Sequence, residues 1–234
     1  MCSNPVITKW ANDNKAEVIM TFKYGSAIKG LTILNKPCKD IIIVKRKPEK
    51  YFNMMFSDKQ FSLMPSQVCN TNMWVCDVAS ELYGLYRGSN CHLLLFGNFI
   101  NHRDLYNLLQ NICKHSFKKI LLKLLCYEPT KSNTALNSFD QLFNYTMVDL
   151  ALTNGVLPNR QTLPHCITNY KNKLCYDIII ICIENHTEPD DYVKITLADY
   201  KNELQVKVNN LSYNTNNANI YTEILQYLTT PSVS

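Results

Sequence analysis

The sequence predicts an α+β fold: an antiparallel β-sandwich or layered sheet flanked by helices. Two observations predict it. Runs rich in β-branched and aromatic residues occupy the first and last thirds of the chain, and two leucine-striped segments of helical spacing lie between them. No internal repeat and no Pro/Gly/Ser linker divides the 234 residues, so residues 1–234 read as a single domain.

The first predicted strand is Ala16 to Tyr24, turned by Gly25-Ser26 into a second, Ala27 to Leu34. Asn35-Lys36-Pro37 turns the chain again into Asp40 to Val44, a continuous apolar run that suits a buried strand. Tyr51 to Phe56 and Gln60 to Met64 read as a hairpin ended by Pro65, and Cys91 to Phe96 as a further strand closed by Gly97. Helices follow. Asn101 reads as a cap, with Asp104 three residues on, before a stripe of Leu105, Leu108, Leu109 and Ile112 that continues through Ile120, Leu121, Leu124 and Leu125 to a stop at Pro129. Ser138 reads as the cap of a second helix whose Phe139, Leu142, Phe143 and Leu150 face the core and whose stop is Asn154-Gly155. Leu174 to Ile183 then looks like a central strand, Tyr192 to Leu197 and Leu204 to Val208 like a following pair. Asn209 to Asn219 is an Asn-rich loop before a short amphipathic helix, Ile220 to Leu228.

Composition narrows the function classes. Hydrophobic residues make up 46% and charged residues 18%, which excludes intrinsic disorder. Asn occurs 27 times, which fits an AT-rich genome of the kind found in many viruses. Only six Gly are present and none forms a GxGxxG or GxxxxGK[ST] frame, which argues against the common nucleotide enzymes. No apolar run is long enough to span a membrane, and MCSNPVITKW lacks the apolar core of a signal peptide, so a cytoplasmic chain with no membrane partner is expected.

The ten Cys read as reduced, buried thiols, since no CxxC occurs and no export signal is seen. No metal site is expected: Cys91 and His92 are adjacent on a supposed strand and would point to opposite faces. Net charge is +5, gathered in Lys45-Arg46-Lys47 with Lys50 and in Lys114, Lys118, Lys119 and Lys123. With only four Arg, these read as a solvated strand end and a solvated helix face, and nucleic acid is not the expected partner. Asn144-Tyr-Thr, Asn185-His-Thr and Asn210-Leu-Ser match the glycosylation pattern and are expected to be silent. Asp190-Asp191 reads as a polar turn. No catalytic residue stands out. A Cys/His hydrolase would take His165 or His186 as its base, with no Cys preferred over the others.

The stretch AEVIMTFKYGSAIKGLTILNKPCKDIIIV, Ala16 to Val44, resembles the early β-hairpin region of cypovirus polyhedrins, through its Glu-Val opening, its Tyr-then-Gly-Ser turn and the Asn-Lys after the second strand. The stretch NHRDLYNLLQNICKHSFKKILLKLLCYEPTKSN, residues 101–133, is similar to the long helical region of those proteins. The resemblance implies a viral occlusion-body matrix protein that crystallises around virus particles in the cytoplasm of infected insect cells. It implies a trimeric building block, a β-sandwich with helices that clamp neighbours, dissolution in alkali, and a nucleotide as an occasional lattice ligand. Residues 1–15 are then an arm that packs on a neighbouring copy through Pro5, Val6, Ile7 and Trp10, apolar groups too few to fold alone. Alkali is expected to act through charge, since loss of the Lys protons leaves four Arg against 19 carboxylates, and Tyr and Cys ionise over the same range. The alternatives are a viral RNA-binding or host-defence antagonist protein and the Cys/His hydrolase.

Overall fold

The structure is a computed structural model that describes residues 5–25, 28–31, 39–52, 66–67, 73–89, 91–126, 134–212 and 218–230. In chain order the elements are α1 (Pro5–Asp13), β1 (Ala16–Tyr24), β2 (Lys39–Arg46), α2 (Pro48–Phe52), β3 (Ser66–Gln67), β4 (Met73–Asp77), α3 (Val78–Tyr86), α4 (His92–Phe96), α5 (Arg103–Leu125), α6 (Ala135–Asn154), α7 (Leu163–Cys166), α8 (Tyr170–Glu184), α9 (Asp191–Asn209) and α10 (Ala218–Thr229).

The α+β class holds, but the sandwich does not. One mixed sheet runs in the order β1-β2-β4-β3. β1 pairs antiparallel with β2, from Ala16 opposite Arg46 to Tyr24 opposite Lys39, with an irregularity between Val18 and Met20. β2 pairs in parallel with β4, and β3 returns antiparallel beside β4. Being central, β2 is covered on both faces, which is why Ile42, Ile43 and Val44 are all buried despite their alternating directions. Ile43 enters the large core, while Ile42 and Val44 meet Met73, Val75 and Ile7 of α1 on the other face.

That second face corrects the arm. Ile7 packs on the chain's own sheet with Trp10 against it, because α1 is a helix with an apolar stripe and β2 offers the complementary one. Val6 faces outward, and Pro5 opens the helix.

The predicted strands Ala16 to Tyr24 and Asp40 to Val44 are found nearly as read, as β1 and β2. Residues 28–31 are in a turn, and the rest of the predicted Ala27 to Leu34 strand lies outside the described residues. So do 53–56 and the whole of Gln60 to Met64, while Tyr51 belongs to α2. Cys91 to Phe96 is helical as α4, its Leu94 carbonyl capped by the Asn159 amide. Leu174 to Ile183 is α8, and both later strands fall within the single helix α9. The caps decide these cases: Asn169 accepts from the Lys171 N–H at 2.8 Å, and Asp190 from the Val193 N–H at 3.0 Å. A four-isoleucine run has no useful period, so tertiary packing on α6 settles it as helix.

For α5 the N-cap is His102, one residue beyond the expected Asn101, and Asp104 sits in the first turn. For α6 the cap is Thr134, and Ser138 is buried inside the helix. Gly155 ends α6 at φ +70°, in the left-handed conformation its position as a stop requires. The helical layer packs α6 against α5, α8 and α9, with α3 across α5. One buried apolar cluster runs from Ile19 in β1 to Leu228 in α10.

Candidate functional site

The outer surface of α8 is the first unusual feature. Tyr170, Leu174, Ile178 and Ile181 are spaced four, four and three residues apart and form one stripe. Tyr170 is 80% exposed and Ile181 54%, while Cys175, Ile179 and Cys182 on the opposite side are buried. On α9, Ile195 at 60% and Val206 at 62% likewise lie opposite the buried Val193, Leu197 and Leu204. The two helices are joined across their outer edge by the Lys171–Asp199 ion pair at 3.2 Å. The charges of α8 are arranged against its own dipole. Lys171 and Lys173 stand in the first turn and Glu184 in the last, the reverse of what an isolated helix favours. Lys173 is partly compensated by Asp177 at 2.8 Å.

A second feature is a cavity of about 420 Å³ where the end of β1, the 28–31 turn, α4, α5 and α6 converge. Tyr24, Phe96 and Phe143 supply flat apolar walls; Lys29, His92, Lys123 and Asn144 supply polarity. The Lys29 ammonium bonds Asp140 of α6 at 2.7 Å and lies 5.2 Å from the Phe143 ring centre. The His92 ring is tilted against its neighbours, its centre 4.7 Å from that of Tyr24 and 6.3 Å from that of Phe96. The residue as a whole keeps solvent exposure. The walls, then the Lys29 ammonium, hold its pKa below the ordinary imidazole range. The rim at Gly88 depends on close approach: φ is +73°, and a Cβ there would stand 2.8 Å from that of Lys119.

The residues considered for hydrolysis bond other groups and not one another. His165 Nδ1 bonds the Thr162 hydroxyl, Cys166 donates to the Gln161 amide oxygen at 3.6 Å, and Cys182 donates to the Glu188 carbonyl at 3.7 Å. His186 occupies the turn after α8 at φ +55°. Burial pushes the Cys76, Cys91, Cys113 and Cys175 thiols up to about 12, the opposite of an activated nucleophile. The seven Cys among the described residues are all free; Cys2, Cys38 and Cys69 lie outside them. Among the described residues no group of three His, Cys, Asp or Glu is placed to hold a metal, and no helix is long and apolar enough to cross a membrane.

The basic clusters are less solvated than their spacing implied. Lys45 is buried and donates to the Tyr227 and Thr230 carbonyls at 2.7 and 2.8 Å. Arg46 lies 3.1 Å from Asp77, and Lys118 caps α9 through the Asn209 and Leu211 carbonyls. These cations serve the fold. The Asp190-Asp191 turn is the cap and first residue of α9. Asn144 is buried in α6, which leaves its glycosylation pattern without an accessible acceptor.

Sequence reasoning missed the α8 face because it placed Leu174 to Ile183 in a sheet. It missed the cavity because Tyr24, His92 and Asn144 share no sequence motif. Comparison with family models, curated proteins and solved structures returned no match.

Proposed function

We propose that the chain is a self-assembling structural protein whose copies meet through the outer face of α8. The observation that carries the reading is the apolar stripe Tyr170, Leu174, Ile178 and Ile181 on a helix whose charges oppose its dipole. The occupant that fits is a second copy. A two-fold axis level with residues 175–176 lays α8 antiparallel to its counterpart, so Tyr170 and Leu174 of one copy meet Ile181 and Ile178 of the other. The same operation brings the basic start of one helix toward Glu184 and Glu188 of the other, adding opposite charge at both ends. A low charged fraction of 18% keeps repulsion between copies small.

An occlusion-body matrix is the specific form of this proposal, with assembly in the cytoplasm of infected cells around virus particles. The likeness over Ala16 to Val44 covers β1 and β2, and the sandwich it implied is not the fold, so the proposal rests on the surface of the molecule. A two-fold contact gives a dimer; a trimer or lattice requires a second, different contact.

Sedimentation of the full chain over a range of concentrations at neutral pH tests the contact. Dimers or larger species are expected for the parent and monomers for Leu174→Glu/Ile181→Glu, with the helical circular dichroism of the two unchanged. A parent that stays monomeric at every concentration overturns the proposal. Light microscopy of expressing insect cells tests the lattice form: intracellular crystals are expected, and a wholly soluble product counts against it.

A further inference from the structure

We propose that the cavity between β1, α4, α5 and α6 is a binding site for a small organic monoanion with a flat apolar body. None of its lining residues belongs to α8 or α9, so the inference stands apart from self-association.

Three observations carry it. The first is size and shape: about 420 Å³ lies in the range of small-molecule sites, and Tyr24, Phe96 and Phe143 give it flat walls suited to a ring. The second is charge. Lys29 is matched by Asp140, and His92 is held in its neutral form at pH 7 by its walls and by Lys29. Lys123 lines the cavity from α5 and has no ion-pair partner among the described residues. No Asp or Glu lines the cavity, so it carries one uncompensated positive charge. A monoanion neutralises that charge, whereas a dianion of the same body leaves one negative charge uncompensated against the apolar walls.

The third observation is Asn144, which is only 8% exposed and lines the cavity from α6. Its side-chain amide offers both a donor and an acceptor to a ligand held there. A bound carboxylate oxygen would accept from the Asn144 amide N–H and from the Lys123 ammonium, with its ring between the aromatic walls. A carboxylate is therefore the anion of this proposal, and a phosphate monoester, largely a dianion at pH 7, serves as its contrast.

Titration of the full chain with naphthoate, naphthyl phosphate and the uncharged naphthylmethanol, followed by the nuclear magnetic resonance signals of the His92 imidazole, tests the site. Naphthoate is expected to shift those signals and to bind roughly tenfold or more tightly than naphthylmethanol. Tighter binding of naphthyl phosphate, largely a dianion at pH 7, than of naphthoate overturns the assignment of a monoanion. Lys123→Ala, an exposed change that leaves the core intact, is expected to weaken naphthoate about two- to fivefold, and Asn144→Ala about two- to tenfold. Equal affinity for the uncharged probe, an unchanged affinity in Lys123→Ala, or no movement of the His92 signals with any probe overturns the proposal.

Discussion

At the scale of single residues, Tyr51 joins groups from three elements. Its hydroxyl donates to Asp77 Oδ1 at 3.2 Å, and its oxygen accepts the Arg46 backbone N–H at 2.6 Å. Asp77 also caps α3 through the Ala79 N–H at 2.9 Å. The Arg46 guanidinium lies within ion-pair distance of Oδ2 but is not aligned as a hydrogen bond, so the phenol carries much of the satisfaction of this buried carboxylate. Tyr51→Phe removes both bonds while keeping the ring. It is expected to destabilise the fold by about 1–3 kcal/mol, read as a lower urea midpoint with an unchanged slope. A midpoint equal to the parent's would show that the network is dispensable. Residues of this kind are hard to read in advance. Gly155 was legible as a helix stop because its role is local, whereas Tyr51 and Asn144 acquire theirs from partners or cavities that only the folded chain supplies.

Among elements, α10 shows how a charged strand end is put to use. Lys45, on the central strand, donates to the last carbonyls of α10 and stands 4.6 Å from the Tyr227 ring centre. Burial holds its pKa below the ordinary lysine value, and the Glu17 carboxylate opposes that shift. Lys45→Met keeps the aliphatic stem but leaves the carbonyls without their donor. A loss of about 1.5–3 kcal/mol is expected, with amide hydrogen exchange rising in 218–230 ahead of α5 and α6. Uniform exchange across all three helices would mean that Lys45 does not pin α10 selectively. Elements with one clear period were legible: β1 and β2 from their β-branched runs, α5 and α6 from their leucine stripes. α4, α8 and α9 were not, because Leu93 to Leu95 and Ile178 to Ile181 are apolar on every side and α9 mixes its apolar residues over two opposite faces. In each case the choice between helix and strand was made by a cap or by packing. The α8 stripe became visible only with that choice.

For the molecule as a whole, the response to alkali moves from contacts between copies to the interior of each one. Burial raises the phenols of Tyr51, Tyr83 and Tyr200 above the ordinary range and pushes Tyr145 and Tyr227 up to about 12, alongside the four thiols. A group with a raised folded pKa lends stability that is whole below its unfolded value and fades as pH climbs to its folded one. The thiol contribution therefore begins to fade near pH 8.5 and the phenol contribution near pH 10; the thiols and the Tyr145 and Tyr227 phenols run out toward about pH 12, and Tyr51, Tyr83 and Tyr200 beyond it. The expected result is loss of helical circular dichroism within that window, coincident with the rise of tyrosinate absorbance. Full ionisation of the tyrosines with the helices intact would show that these phenols are not the switch. The pairing of Lys45 with Tyr227 across 182 residues also has a meaning for biosynthesis. At about 5–20 residues per second, a ribosome takes roughly 10–40 s to make the stretch between them. Through that interval the central strand holds an ammonium whose acceptors do not yet exist. The nascent sheet is therefore finished only after α5, α6, α8 and α9 have been made, and a pause in translating those helices lengthens its exposure to chaperones.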